Sequence, residues 1–357
     1  MTRYTPFLKV KANEIAALSA LTLDIKTLII PFLDLPKKKL MSGDSFQRMV
    51  NKAAIALARH IKEIPAFYLD NFDIEDDILV NGNDNYQYVI ETFRDLRFIP
   101  VVGLDRKAGR NELVFNAKRG GLLKSEAIAI RLQAEDFVSF ALVEDDIATL
   151  IDQGAGLFSR WILVIDNRMC LNLDVAARAA EVTKFISDCR RAFEFDQIII
   201  AGSSIPASIG ELVKVKDELL QERNEMGIHS LTCGALGDSN FGFGDYTVVS
   251  PLYSDVDIPP AVMLNVMAPR VVYSYECTHF MARGGALRTH PRGNWQYNDI
   301  AQYLVGKPFY RGAGYSFGDS FLYEKANSVG SMVTPGSILK PTINAHISYM
   351  SRLYGLA

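Results

Sequence analysis

Lys9 and Lys11 stand two residues apart in a short apolar run, so in an extended segment both ammonium groups point to one side. Similar runs further along end in, or lead into, Asp34, Asp70, Asp105 and Asp166. Arg131 and Gln133 share a face of another run, and Arg168 follows Asp166. Ser203 and Ser204 close a run just before Pro206, and Tyr246 and Ser250 lie on the last one. Carboxylates from separate segments, set against lysines and an arginine, are the equipment of acid–base chemistry on an anionic substrate. In that reading Asp70 or Asp166 is the base and Arg131 steadies developing charge. Lys9, Lys11, Asp34, Ser203 and Tyr246 contact the ligand, and Arg311, in a Gly-rich loop, reaches over it. Two inward lysines cannot stay charged in a dry interior without partners. Either Asp34, Asp70 or Asp166 pairs them, or a bound phosphate or carboxylate does. A plainer explanation stands beside this one: strand ends carry Asp because turns begin there, and closed sheets hold internal ion-pair layers.

Other chemistries lack their motifs. There is no G-x-x-x-x-G-K-[ST] loop, no H-E-x-x-H and no G-x-S-x-G, since Gly202-Ser203-Ser204-Ile205-Pro206 lacks the second glycine. His60, His229, His279, His290 and His346 are scattered, with His279 alone placed to reach a site from the C-terminal part. Cys170, Cys189, Cys233 and Cys277 fit neither a zinc spacing nor a disulfide framework and read as reduced thiols. No metal and no cofactor is expected. Lys37-Lys38-Lys39 could extend a positive rim but reads first as a solvated loop.

The elements that must position these residues alternate. Short apolar runs at 7–11, 27–35, 66–70, 98–104, 127–132, 161–165, 197–202 and 245–251 are separated by amphipathic stretches. Helices are expected at 13–21, 45–61 (capped by Asp44 or Ser45), 85–96, 141–151, 175–193 and 211–224. Strand–helix alternation with near-continuous apolar strands predicts a parallel sheet buried on both faces. Eight units in about 250 residues match a closed (β/α)8 TIM-type barrel. An open doubly wound sheet is the rival, and the missing G-x-G-x-x-G after the first strand weighs against it. The class is therefore α/β, with a barrel over 1–256 and a C-terminal β-rich extension over 257–357. In that extension 270–280 reads as one extended strand, 312–319 as a hairpin or a lid, and 298–305 and 344–354 as helices. In such barrels ligands meet the C-terminal ends of the strands, where the residues above fall.

Composition narrows the setting. With 357 residues, 49% hydrophobic and 22% charged, the chain has material for a large core. A net charge of −3 gives no global field for nucleic acid. Arg283, Arg288 and Arg292 near Trp295 and Tyr297 keep single-stranded nucleic acid as a lesser alternative. Residues 1–6 show no signal-peptide pattern, and no apolar run is long enough to span a bilayer, so a cytoplasmic location is expected.

Four segments resemble the phage beta protein family, found in phages and in bacteria. They are 7–11 with Glu14; Ile30-Pro31-Phe32-Leu33-Asp34, where Asp34 replaces the family's Glu; Gly244-Asp245-Tyr246; and 297–319 with Gln302-Tyr303 and Tyr315-Ser316-Phe317-Gly318-Asp319. The resemblance covers most of the chain. It implies the barrel and a setting of phage–host conflict, antiviral defence or phage-encoded, and it brings no established reaction. The leading expectation is an interaction or sensing module with an anion-binding mouth and a protein partner docked through the extension. One alternative is an enzyme acting on a phosphorylated or otherwise anionic small molecule or nucleotide. Another is a structural, antitoxin-like subunit.

Overall fold

The computed structural model describes residues 4–253 and 267–355. The barrel strands are β1 (Tyr4–Lys9), β2 (Phe32–Asp34), β3 (Phe67–Asp70), β4 (Phe98–Gly103), β5 (Ala127–Gln133), β6 (Arg160–Met169), β7 (Gln197–Ser203) and β8 (Gly242–Asp245). They close in sequence order, β8 pairing with both β7 and β1, and every pairing is parallel. The chain is thus a closed eight-stranded α/β barrel rather than an open sheet.

The barrel interior is filled by unequal partners. Phe7, Phe32 and Tyr68 on β1 to β3 form one aromatic wall, with Phe7 on Phe32 at 4.5 Å and 5° and Phe32 on Tyr68 at 5.3 Å. Ala127, Ala129 and Ala201 on β5 and β7, and Gly244 on β8 next to β1, leave room for those rings. A Cβ at Gly244 would come within 2.6 Å of the Phe7 ring, so a glycine is required there. A second, larger apolar layer lies between the strands and the surrounding helices.

Several sequence expectations are corrected. The eighth strand is Gly242–Asp245, not 245–251. Thr247 has a φ of 58°, which ends extension just after Asp245, so the β-branched run that looked like a strand is a loop over the barrel. Residues 211–224 do not form one helix. Asp217–Glu222 is an edge strand antiparallel to Thr278–Arg283, and the helix begins later, as Asn224–Leu236. Its charged residues have high helix propensity, but pairing with a distant hairpin overrides that preference. The run 270–280 is two strands, Arg270–Tyr275 and Thr278–Arg283, reversed at Glu276 with φ 43°. The segment 312–319 is no hairpin: Ser316 accepts a hydrogen bond from the Asp319 backbone N–H (3.0 Å) and caps the helix Phe317–Ala326. Ser42, answered by Ser45, caps the helix Gly43–His60, not Asp44 or Ser45 alone.

From residue 267 onward the described chain carries one hairpin and the helices Gln296–Val305, Phe317–Ala326 and Leu339–Gly355, so helix outweighs the β-structure expected there. The last helix packs on the barrel's first, Ala12–Ser19, where Asn344 Nδ2 donates to the Ala17 carbonyl at 3.2 Å. The boundary expected at 256/257 lies outside the described residues. Among the described residues no helix is long and apolar enough to cross a membrane.

Candidate functional site at the C-terminal mouth of the barrel

Strand register sets the site. Lys9 on β1 lies level with Asp34 on β2, and Asp34 with Asp70 on β3, at the C-terminal ends of three adjacent strands. Across the barrel, Gln133 ends β5 level with Asp166 on β6. Arg131, two residues before Gln133, shares its inward face. Tyr246 follows directly on β8.

These groups converge on one guanidinium. Arg131 is fully buried and donates from Nη1 to Asp34 (2.8 Å) and Asp70 (3.0 Å), and from Nη2 to Asp166 (2.7 Å) and the Tyr246 hydroxyl (2.9 Å). Tyr246 in turn donates to Asp166 at 2.6 Å. Arg106, just past β4, donates to the same Asp70 oxygen at 2.8 Å. Phe32 and Phe72 cover the Arg131 plane at 4.9 and 4.7 Å.

Arg106 also pairs with Asp105 at 3.4 Å, so the two guanidiniums are outnumbered by carboxylates, and buried Asp34 is held least firmly in its charged form. Burial and the neighbouring Asp70 push its carboxyl up to about 7, and Arg131 pulls it back only in part. For Asp70 burial acts in the same upward sense, yet Arg106 and Arg131 outweigh it and hold the group below the ordinary carboxylate range. Burial, then Asp166, raises the Tyr246 phenol far above its usual value. Arg131 keeps its proton firmly because its carboxylates overcome the cost of burial. Hydrogen bonding is incomplete on one side: Asp70 Oδ1 and both amide atoms of Gln133 (2% exposed) have no partner among the described residues.

The ring is sealed from above. Arg168 stacks on Phe72 at 4.5 Å, donates to the Pro251 carbonyl at 3.1 Å and faces Asp73 at 3.5 Å. Lys9 Nζ donates to the same carbonyl at 3.0 Å and lies 3.5 Å over the Tyr253 ring. The Tyr253 hydroxyl accepts from the Lys37 backbone N–H (2.9 Å) and is bonded to Asp73. Arg168 (φ 49°) and Thr247 (φ 58°) are both left-handed, each held by a backbone bond to a carboxylate two residues earlier, Asp166 and Asp245.

Beside this plug lies a cavity of about 270 Å³ lined by Lys9, Lys11, Glu14, Pro206, Ser250 and Tyr253, among others. Lys9 is only 6% exposed and has no carboxylate within ion-pair distance among the described residues. Burial lowers its ammonium to about 8, against the pull of Asp73. Glu14, also on the wall, is raised by burial.

The sequence-expected residues therefore divide. Asp34, Asp70, Arg131, Asp166 and Tyr246 meet in the ring, and Lys9 and Lys11 line the adjoining cavity. Ser203 is buried at the end of β7 and accepts from the Ile205 backbone N–H (3.1 Å), a turn bond outside the ring. Arg311 bonds the Ser274 carbonyl (2.6 Å) and stacks on Tyr273 (4.2 Å), with all its contacts in the C-terminal part, so it does not arch over the ring. His279 is buried against Ser274 and does not reach the mouth. Arg283 and Arg292 are bound to the Val213 carbonyl and to Asp299. Among the described residues no group of three or more His, Cys, Asp and Glu is placed to hold a metal. The sequence reading missed Arg106, Phe72 and Tyr253. Phe72 and Arg106 follow β3 and β4 within three residues, a signal that was available; Tyr253 is brought in only by the loop after Thr247.

A family model described as Beta protein matches residues 4–352, nearly the whole chain. Comparisons with curated proteins and with solved structures find no match.

Proposed function

We propose, from the premise that this chain belongs to the Beta protein family, that its barrel mouth binds a small anionic ligand over Lys9 and Lys11. One observation carries the reading. Among the described residues Lys9 is a buried cation without a carboxylate partner, on the wall of a cavity it shares with Lys11, while Asp34, Asp70 and Asp166 are all committed to Arg131. A phosphate or carboxylate is the partner that such a lysine lacks. Ligand entry next to Tyr253 and Pro251 would pull Lys9 away from the plug, which gives the mouth a means of signalling occupancy. Together with the family's occurrence in phages and bacteria, this favours a sensing module in phage–host conflict, acting in the cytoplasm. Its output would pass to a protein docked on an extension over 257–357.

The test is thermal-shift and calorimetric titration with inorganic phosphate, sulfate and a nucleotide panel. At one hundred times the dissociation constant, a true ligand stabilises the fold by about 2.7 kcal/mol. Lys9→Met should remove that response while the variant stays folded. Binding should weaken above pH 8, where Lys9 loses its proton. If no anion stabilises the wild type, or Lys9→Met responds equally, the proposal is lost.

A second reading, an acid–base enzyme, has its own support: Asp34 pushed up to about 7 is poised to exchange a proton near neutrality, and left-handed backbone flanks the ring. In that reading the plug must part for substrate. Asp166→Asn should then abolish turnover on whichever anion binds, with binding retained. The third reading, a structural subunit, is favoured by the sealed ring and predicts no ligand response at all.

A further inference from the structure

A second cavity, of about 560 Å³, opens away from the barrel interior. It lies where the helix Asn224–Leu236, the turn of the C-terminal hairpin and the helix Leu339–Gly355 meet. Its size falls in the range of small-molecule sites, about 300–1,000 Å³. Met226, Phe241, Leu353 and Tyr354 are among its apolar walls, and His229, Ser230 and Ser239 among its polar points.

Three features define what fits. The Tyr354 ring is stacked on Phe243 at 4.7 Å and 9°. Phe243 belongs to β8 and lies outside the cavity lining, so the opposite face of Tyr354 is the one turned to the cavity. His229 stands edge-on to Tyr354 (5.7 Å, 85°) and its Nε2 donates to the Phe241 carbonyl at 3.3 Å, while burial lowers its imidazole to about 4. Among the described residues no lysine or arginine lines the cavity, and Glu276 is its one carboxylate side chain. A flat aromatic face, uncharged polar points and a single acidic group favour a planar molecule and disfavour an anion.

We propose that this cavity binds a neutral, planar aromatic small molecule that stacks on the free face of Tyr354. The site is separate from the lysine-lined mouth and takes the opposite class of ligand.

The probes are Nile red, a neutral planar dye, and anilinonaphthalene sulfonate, an anionic one, titrated into the full chain. Ser230 lines the cavity and is exposed, so Ser230→Trp can fill the space without disturbing a buried position. Nile red should bind one per chain, at least tenfold more tightly than the anionic dye, and at least tenfold more weakly to Ser230→Trp. Tyr354→Leu, checked for folding by circular dichroism, should weaken it likewise. Bound Nile red should also slow alkylation of the exposed Cys277 at the lip by N-ethylmaleimide. Absence of saturable Nile red binding, equal affinity for the two dyes, or binding untouched by Ser230→Trp would each overturn the proposal.

Discussion

Two buried ionic networks lie on opposite sides of the barrel wall, and they are finished differently. Inside, Arg131 gathers Asp34, Asp70 and Asp166. Outside, Asp245 faces the C-terminal helix. It accepts from Tyr4 (2.9 Å), Arg223 (2.5 Å), the Thr247 backbone N–H (2.9 Å) and His346 Nε2 (2.9 Å). Arg223 also binds Glu225 (2.9 Å), which accepts from Ser204 (2.7 Å). The Ser274 hydroxyl joins His346 Nδ1 (2.6 Å) to His279 Nδ1 (2.9 Å). Among the described residues no buried side-chain polar atom of Asp245, Arg223, Glu225, His346 or Ser274 lacks a partner, whereas the inner network leaves Asp70 Oδ1 and the Gln133 amide unpaired. The outer network ties hairpin and last helix to β8 and is saturated. The inner one borders a cavity, holds a carboxyl near neutrality and is flanked by left-handed backbone. A saturated network is what structure alone requires, and the unfinished one is where a ligand has something to add.

Breaking the outer network should cost most. Arg223→Met leaves Asp245 and Glu225 buried without their cation, and about 3–5 kcal/mol of stability should disappear in urea unfolding. A loss under 1 kcal/mol would remove the claim that this network fastens the C-terminal part.

Acid should separate the two networks by sign. Burial holds His279 and His346 below their ordinary value, and His229 down to about 4. The unfolded chain therefore takes up more protons than the folded one below about pH 6.5. This contribution is whole above 6.5 and is lost as pH falls toward 4. Asp245 adds to the loss at lower pH: burial works against its charge, but His346 and Arg223 keep it strongly acidic. Asp34 runs the other way. Raised to about 7, it makes the fold less stable above that pH and relieves the cost as pH falls. Melting temperatures from pH 8 to 5 should fall overall, and more steeply in Asp34→Asn, which lacks the offset. Parallel profiles for wild type and variant would refute the opposed signs.

At pH 7 itself, Asp34→Asn should change stability by less than about 1 kcal/mol, since the lost charge was poorly favoured and Arg131 keeps two carboxylates. A loss like that of Arg223→Met would make the two networks equivalent. Smallest of all, Gln133→Leu should raise stability by up to about 1 kcal/mol by removing an unpaired buried amide. A clear drop would mean that the amide is satisfied in solution and the inner network is as complete as the outer.

What could be read from the chain follows from locality. Strand–helix alternation is a nearest-neighbour pattern, so the barrel and seven of its eight strands were legible, as were the strand-end positions of Asp34, Asp70, Arg131 and Asp166. The eighth strand was displaced because the apolar, β-branched run 245–251 is the stronger strand pattern, and only the Phe7 ring on the neighbouring β1 explains the need for glycine at 244. The segment around Asp217–Glu222 was misread because its partner strand lies about sixty residues away in sequence, beyond any local propensity.

By itself the sequence determined the closed α/β class, the family, the face shared by Arg131 and Gln133 and the strand-end places of Asp34 and Asp70, because periodicity and strand parity are properties of consecutive residues. Only the tertiary structure decided which carboxylates Arg131 would take, that Lys9 would be left without one among the described residues, and that Arg311 and His279 would turn away from the mouth. Those outcomes depend on distances across the barrel and on the loop 246–253 folding over it. Burial then converts such distances into charge states, which no stretch of neighbouring residues encodes.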